Sequence, residues 1–68
     1  MNSISSRANH YKKQGYFAGM SAEQIKGEIN ELQQEIKTAD KRTYNGKMQK
    51  IWNECKINIG EIMIKSMN

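Results

Sequence analysis

The strongest constraint on the fold is a stripe of apolar residues between positions 20 and 39. Its five members are separated by four, three, four and three positions: Ile25, Ile29, Leu32, Ile36 and Ala39. This spacing places all of them on one narrow face of an α-helix. A narrow apolar face has to pack against another element, so the chain is expected to consist of helices that meet.

The start of this helix is also marked in the sequence. Ser21 is a favourable N-cap, because its hydroxyl can accept a hydrogen bond from a backbone amide of the first turn. Gln24 lies three residues later and can bond back to the backbone of Ser21, which completes a capping box. Met20 and Ile25 occupy the two positions of a hydrophobic staple. We therefore predict a helix over residues 21–39.

Two further helices are predicted, one on each side. The first covers about residues 3–18, and a left-handed glycine at Gly15 or Gly19 would end it. The last runs from residue 43 or 45 to 65, with apolar residues at three- and four-residue steps. Residues 57–64 are rich in β-branched isoleucine, so a short strand is the alternative there. Helix is preferred, because a single strand would have no partner in the chain.

The connection between the second and third helices decides the architecture. The apolar stripe changes phase between Ala39 and Met48, which predicts a turn near residues 40–44. The expected fold is all-α, a single domain over residues 1–68 in which a shorter N-terminal helix packs against an antiparallel helical hairpin. One long bent helix is the competing arrangement, because this region contains no proline and only one glycine, Gly46.

No sequence pattern points to catalysis, metal binding or a cofactor. His10 and Cys55 are the only residues of their types and lie far apart in the chain. The five glycines are scattered, so none of them forms a phosphate-binding loop. A chain of 68 residues also rarely builds the concave pocket that an enzyme needs. We expect a non-enzymatic protein with no cofactor, metal ion or small-molecule substrate.

Composition also bears on location and origin. The longest uninterrupted apolar run, residues 62–64, is far shorter than the roughly 20 residues that span a bilayer. The first residues lack the apolar segment of a secretory signal, and a lone cysteine suits a reducing compartment. No membrane contact and a cytoplasmic location are therefore expected. Residue types with AT-rich codons make up half of the chain, which suggests a low-GC bacterium, a phage or a mobile element.

The net charge of +4 is unevenly distributed, because residues 21–40 are acidic and both flanking segments are basic. Attraction between oppositely charged helices would guide their arrangement, although exposed ion pairs contribute only about 0–1 kcal/mol each. A group of cations with one tyrosine surrounds the predicted turn: Lys37, Lys41, Arg42, Tyr44, Lys47 and Lys50. An aromatic residue among cations is typical of nucleic-acid binders and also of ordinary solvated surface. We name this group the basic tip.

The third helix is apolar over much of its circumference, since Ile57, Ile64 and Met67 lie partly off its main stripe. Two other helices of so small a chain can cover only part of that surface, and the excess predicts an interface. Alternatively, Ile57 and Ile64 close over the first helix. The candidate protein-binding residues are Trp52, Ile57, Ile64, Met67, Tyr16 and Phe17.

Three functions are compatible with these features. The favoured one is a small regulatory or inhibitory protein, encoded by a phage or mobile element, that binds another protein or a second copy of itself through an apolar helix face. The second is nucleic-acid binding through the basic tip. The third is a self-assembling helical structural subunit.

Overall fold

The computed structural model describes residues 14–67, and the helices in this part of the chain are two. Helix α1 spans Ala22–Thr38 and helix α2 spans Tyr44–Ser66. They pack against each other, and residues 14–67 contain no strand. The all-α class and the hairpin are therefore confirmed. Most of the predicted N-terminal helix, residues 3–13, lies outside the described residues.

Residues 14–19 form turns, so the part of the predicted N-terminal helix that is described is not helical. Gly15 has a φ of 67° and Gly19 a φ of 78°, in the left-handed region that glycine adopts without a steric penalty. The Ala18 amide donates to the Gly15 carbonyl at 2.9 Å. Both glycines thus take the left-handed conformation expected of a helix terminator, and the segment between them cannot continue a helix.

Helix α1 begins as the sequence predicts. Ser21 Oγ accepts a hydrogen bond from the Gln24 amide at 3.2 Å, and Gln24 Oε1 accepts one from the Ser21 amide at 2.8 Å. The predicted capping box is therefore present in full. The helix ends at Thr38, one residue before the predicted end, because Ala39 has an extended backbone.

Helix α2 is continuous from Tyr44 to Ser66. Thr43 caps it, because its hydroxyl accepts a hydrogen bond from the Gly46 amide at 3.0 Å. Residues 57–64 are helical throughout, which confirms the preference for helix over strand.

The two helices run antiparallel, and a five-residue connection, residues 39–43, joins them. Gln49 near the start of α2 bonds to Glu35 near the end of α1, whereas Gly60 late in α2 lies against Ile29. The competing single bent helix is excluded by these contacts.

Hydrogen bonds within the connection hold it in one conformation. Arg42 donates to Asp40 Oδ1 through its backbone amide and through Nε, both at 3.1 Å. These bonds hold the pKa of the Asp40 carboxyl below its ordinary value. The Thr43 hydroxyl donates to the Asp40 carbonyl at 2.8 Å. That same carbonyl lies so close to Gly46 that a Cβ at position 46 would collide with it.

The core lies between the helices and under the N-terminal turn. Phe17, Ile25, Leu32 and Ile59 are buried, with at most 4% of their surface exposed. Phe17 comes from the turn that precedes α1, so this turn supplies one of the core residues. No helix of residues 14–67 is long and apolar enough to cross a membrane.

Candidate protein-binding site

Four large apolar side chains are exposed within residues 14–67, three of them in α2 and one directly after it. They are Tyr44, 76% exposed, Trp52, 46%, Ile62, 53%, and Met67, 48%. Tyr44 and Trp52 are eight residues apart, with Met48 midway between them. Residues four apart are neighbours on a helix surface, so these three form one continuous row about 12 Å long. We name Tyr44, Met48 and Trp52 the aromatic ridge.

A groove lies beside the aromatic ridge. It is lined by the three ridge residues and by Asn45 and Gln49, which form the next row of side chains around α2. One wall of the groove is thus aromatic and thioether, and the other carries two amides. This arrangement provides apolar contact area together with hydrogen-bonding groups along one edge.

The first residue of the aromatic ridge lies on the side of α2 opposite the face that packs against α1. Gly46, Asn53 and Gly60 are buried and lie seven residues apart, on a single face. Nine residues turn a helix through two and a half turns, so Tyr44 lies on the side of α2 opposite Asn53. The two glycines let the backbone of α2 lie close to the Asp40 carbonyl at Gly46 and to the Ile29 side chain at Gly60.

A hydrogen-bond network holds this packing in register. Asn53 is fully buried, and its Nδ2 donates to the Leu32 carbonyl and to Glu35 Oε1, both at 3.1 Å. Gln49 Nε2 donates to Asn53 Oδ1 at 3.0 Å and to Glu35 Oε1 at 3.1 Å. The network therefore fixes Gln49, which belongs to the amide wall of the groove, as well as the helix pair.

The cations of the basic tip lie around the connection between the two helices, at the end of the hairpin where the aromatic ridge begins. Two of these cations form ion pairs with acidic side chains of the same chain. Arg42 pairs with Asp40 at 3.1 Å, and Lys50 pairs with Glu54 at 3.9 Å. Lys41 and Lys47 are exposed. Within residues 14–67, neither of these two lysines forms an ion pair, so both contribute positive charge at this end of the hairpin.

The structure places the predicted protein-binding residues in different environments. Trp52 and Met67 are exposed, as a contact surface requires. Phe17 is only 1% exposed, so its side chain belongs to the core and is no longer a candidate contact. Ile57 and Ile64 are partly buried and pack against the core cluster. The apolar surface of these two isoleucines is therefore covered mainly by the core of the same chain.

Tyr16 is also occupied by contacts within the chain. Its hydroxyl donates to Glu28 Oε1 at 3.3 Å, and Lys56 Nζ lies 5.1 Å from the centre of its ring. Its ring packs edge-on against Phe17, with ring centres 4.7 Å apart. Tyr16 thus fastens the N-terminal turn to both helices, which is a sufficient reason for an aromatic residue at this position.

The sequence pattern places Tyr44 among the apolar residues of the third helix and in the basic tip, but Tyr44 was not among the predicted protein-binding residues. The available signal was the seven-residue spacing of Gly46, Asn53 and Gly60, which marks the face that can approach another helix closely.

No protein-family model, curated protein or solved structure matches this chain. Among residues 14–67 there is also no group of three or more histidine, cysteine, aspartate or glutamate side chains that could hold a metal ion.

Proposed function

We propose that this protein is a small, non-enzymatic regulatory or inhibitory protein that acts by binding another protein through the aromatic ridge. The observation that carries the proposal is the exposure of Tyr44, 76%, and Trp52, 46%, on one row of a well-packed helix. Tyrosine and tryptophan are the residue types that most often dominate binding energy in protein interfaces. Met48 lies between them, and its flexible thioether adapts to the shape of a partner.

The surroundings of the aromatic ridge support the same proposal. Protein interfaces usually have an apolar centre and a polar rim. Here Asn45 and Gln49 border the ridge on one side, and Lys47 lies on the first turns of α2. The rim groups can form hydrogen bonds and ion pairs, while the ridge contributes apolar area.

Peptide display with the immobilised protein tests the proposal. Peptides selected on the native chain are measured against a Tyr44→Ser, Trp52→Ser double variant. We expect their Kd to rise at least about 30-fold, because two central aromatic contacts are removed. An Ile62→Ser, Met67→Ser variant is the matched control, since it removes two exposed apolar side chains outside the ridge. Peptides that bind the ridge variant as tightly as the native chain, or a failure to select any peptide, would contradict the proposal.

Nucleic-acid binding through the basic tip is the second candidate. The observation that favours it is the position of the exposed Tyr44 ring close in sequence to Lys41 and Lys47, because a tyrosine beside cations can stack on a base. Arg42 and Lys50 form ion pairs with Asp40 and Glu54, which weakens the positive electrostatic field of the basic tip. Nucleic-acid binding is therefore the less favoured of the two functions.

A salt titration with fluorescently labelled single-stranded DNA and RNA tests this candidate. Phosphate contacts predict binding that weakens steeply as salt rises and that is lost in a Lys41→Glu, Lys47→Glu variant. Absence of binding at low salt would eliminate it.

A further inference from the structure

We infer that Asn45 is a site of deamidation, and that the Thr43 cap of α2 sets the rate of this modification. The inference is independent of the proposed function. Asn45 and Gly46 are the only asparagine–glycine pair in the chain. Three features carry the inference: the exposed side chain of Asn45, the glycine that follows it, and the position of both residues in the first turn of a helix.

The reaction is an intramolecular attack on the side-chain amide of Asn45. The Gly46 backbone nitrogen gives up its proton to a base from solvent and forms a bond with Asn45 Cγ, and the side-chain nitrogen leaves as ammonia. The product is a five-membered succinimide ring. Water then opens either of the two carbonyl–nitrogen bonds of the ring and yields aspartate or isoaspartate. Glycine favours the attack, because it has no Cβ beside the attacking nitrogen.

The fold requires a glycine after Asn45 for a reason unrelated to this reaction. A Cβ at position 46 would collide with the Asp40 carbonyl, so a larger residue that would slow the attack does not fit there. The Asn45 side chain is exposed, so water reaches its amide and ammonia can leave. Packing therefore retains, next to an accessible asparagine, the residue type that makes it most reactive.

The folded first turn of α2 restrains the reaction. The Gly46 amide donates to Thr43 Oγ1 at 3.0 Å, so the attacking nitrogen is already hydrogen-bonded. The Lys47 amide donates to the Thr43 carbonyl at 3.1 Å and closes the turn. In an α-helix the Cα–Cβ bond tilts towards the N-terminus, away from the nitrogen of the next residue. Asn45 Cγ and the Gly46 nitrogen can therefore meet only after this turn has opened.

Only the end of α2 has to open for the reaction to proceed. Local opening of a helix end costs less free energy than unfolding of the whole chain. The buried Ile59 lies about three and a half turns further along α2, so its core contacts persist while the first turn opens. The Thr43 cap therefore controls how often the Gly46 nitrogen is free. Loss of a threonine cap should raise the population of the open turn about fivefold.

Peptide mapping by mass spectrometry, after incubation in mildly alkaline buffer, tests the inference through the isoaspartate content at position 45. We expect the native chain to react at least about 10-fold more slowly than an isolated peptide of residues 42–48, which has no stable helix. Thr43→Ala should react about fivefold faster than the native chain, whereas Thr43→Ser keeps the capping hydroxyl and should retain the native rate. Phe17→Leu is the matched control, because it weakens the core without touching the cap, and its rate should equal the native rate.

Each of the other outcomes would overturn the inference. They are a native chain that reacts as fast as the peptide, a rate that is unchanged in Thr43→Ala, and equal acceleration in Thr43→Ala and Phe17→Leu, which would assign the reaction to global unfolding. Circular dichroism verifies that each variant is folded. If Thr43→Ala does not fold, hydrogen exchange of the native chain decides. The Gly46 amide should then exchange at least about 10-fold faster than the Ile59 amide, and equal exchange would exclude local opening of the first turn.

Discussion

At the scale of single residues, Asn53 determines how the two helices meet. It is the one polar side chain among residues 14–67 that is fully buried, and it bonds to Leu32, Glu35 and Gln49. An apolar residue of similar size could fill the same space in several registers. The amide can satisfy its donors and its acceptor in only one, so it selects that register.

Replacement of Asn53 by aspartate should expose this role. Asn53→Asp retains the shape but removes the donor group and places a carboxylate against the Leu32 carbonyl and Glu35. We expect a loss of at least about 2 kcal/mol of unfolding free energy at pH 7, measured by urea denaturation. Asn30→Asp, at an exposed position of α1, is the control and should change stability by less than about 0.5 kcal/mol.

The pH dependence of the Asn53→Asp variant follows from the sign of the shift. Burial beside another carboxylate raises the pKa of the new carboxyl in the folded state above its unfolded value. The loss of unfolding free energy caused by the charge is therefore complete above the pKa of the carboxyl in the folded state. It disappears as pH falls towards the pKa of the carboxyl in the unfolded state. A deficit that stays constant down to pH 4, relative to Asn30→Asp, would show that the charge of the new side chain is not its cause.

At the scale of elements, the sequence predicted the two described helices well, and it predicted their packing less well. The capping box at Ser21 and Gln24 and the turn after Ala39 follow from local patterns, and the structure has both. The contact face of α2 depends on Gly46, Asn53 and Gly60, which hydrophobic periodicity does not score. In the folded protein, α2 buries the two glycines and the hydrogen-bonded Asn53 and leaves Tyr44 and Trp52 exposed. This choice of face depends on the three-dimensional packing and not on the spacing of apolar residues.

The junction between the connection and α2 depends on a glycine. A Cβ at Gly46 would collide with the Asp40 carbonyl, whereas a Cβ at Gly27, in the middle of α1, would meet no atom within 4 Å. We expect Gly46→Ala to lower the unfolding free energy by about 1–3 kcal/mol, because the connection has to move. Gly27→Ala should raise it by about 0.5–1 kcal/mol through helix propensity. Thermal unfolding of both variants measures these two changes in stability. Equal changes in melting temperature would refute the proposed collision at Gly46.

At the scale of the whole molecule, the turn that precedes the helical hairpin contributes a side chain to its hydrophobic core. Phe17 is 1% exposed and packs with Ile25, Leu32 and Ile59. Two helices alone bury little apolar surface, so a core residue supplied by the turn is a large part of the total. Phe17 was among the predicted protein-binding residues, and its burial could not be predicted because it depends on contacts with residues distant in the sequence.

Truncation of Phe17 should therefore affect the entire fold. We expect Phe17→Ala to lower the unfolding free energy by about 3–5 kcal/mol. This loss is enough to lower the melting temperature sharply or to abolish cooperative unfolding. Phe17→Leu should retain a cooperative transition with a loss below about 1.5 kcal/mol. Ile62→Ala, at an exposed position, should have little effect. Unchanged melting of Phe17→Ala, measured by circular dichroism, would show that the turn does not contribute to stability.

The hydrogen bonds around Asn53 also prevent α1 and α2 from sliding past each other. A shift of one helical turn, about 5.4 Å, would leave the amide without its partners. The aromatic ridge is thus presented by a rigid support, and its shape before association is the shape that a partner meets. Any conformational entropy lost on complex formation would then fall on the partner and on the exposed ridge side chains, so a partner segment that is already ordered should bind more tightly than a disordered segment of the same sequence.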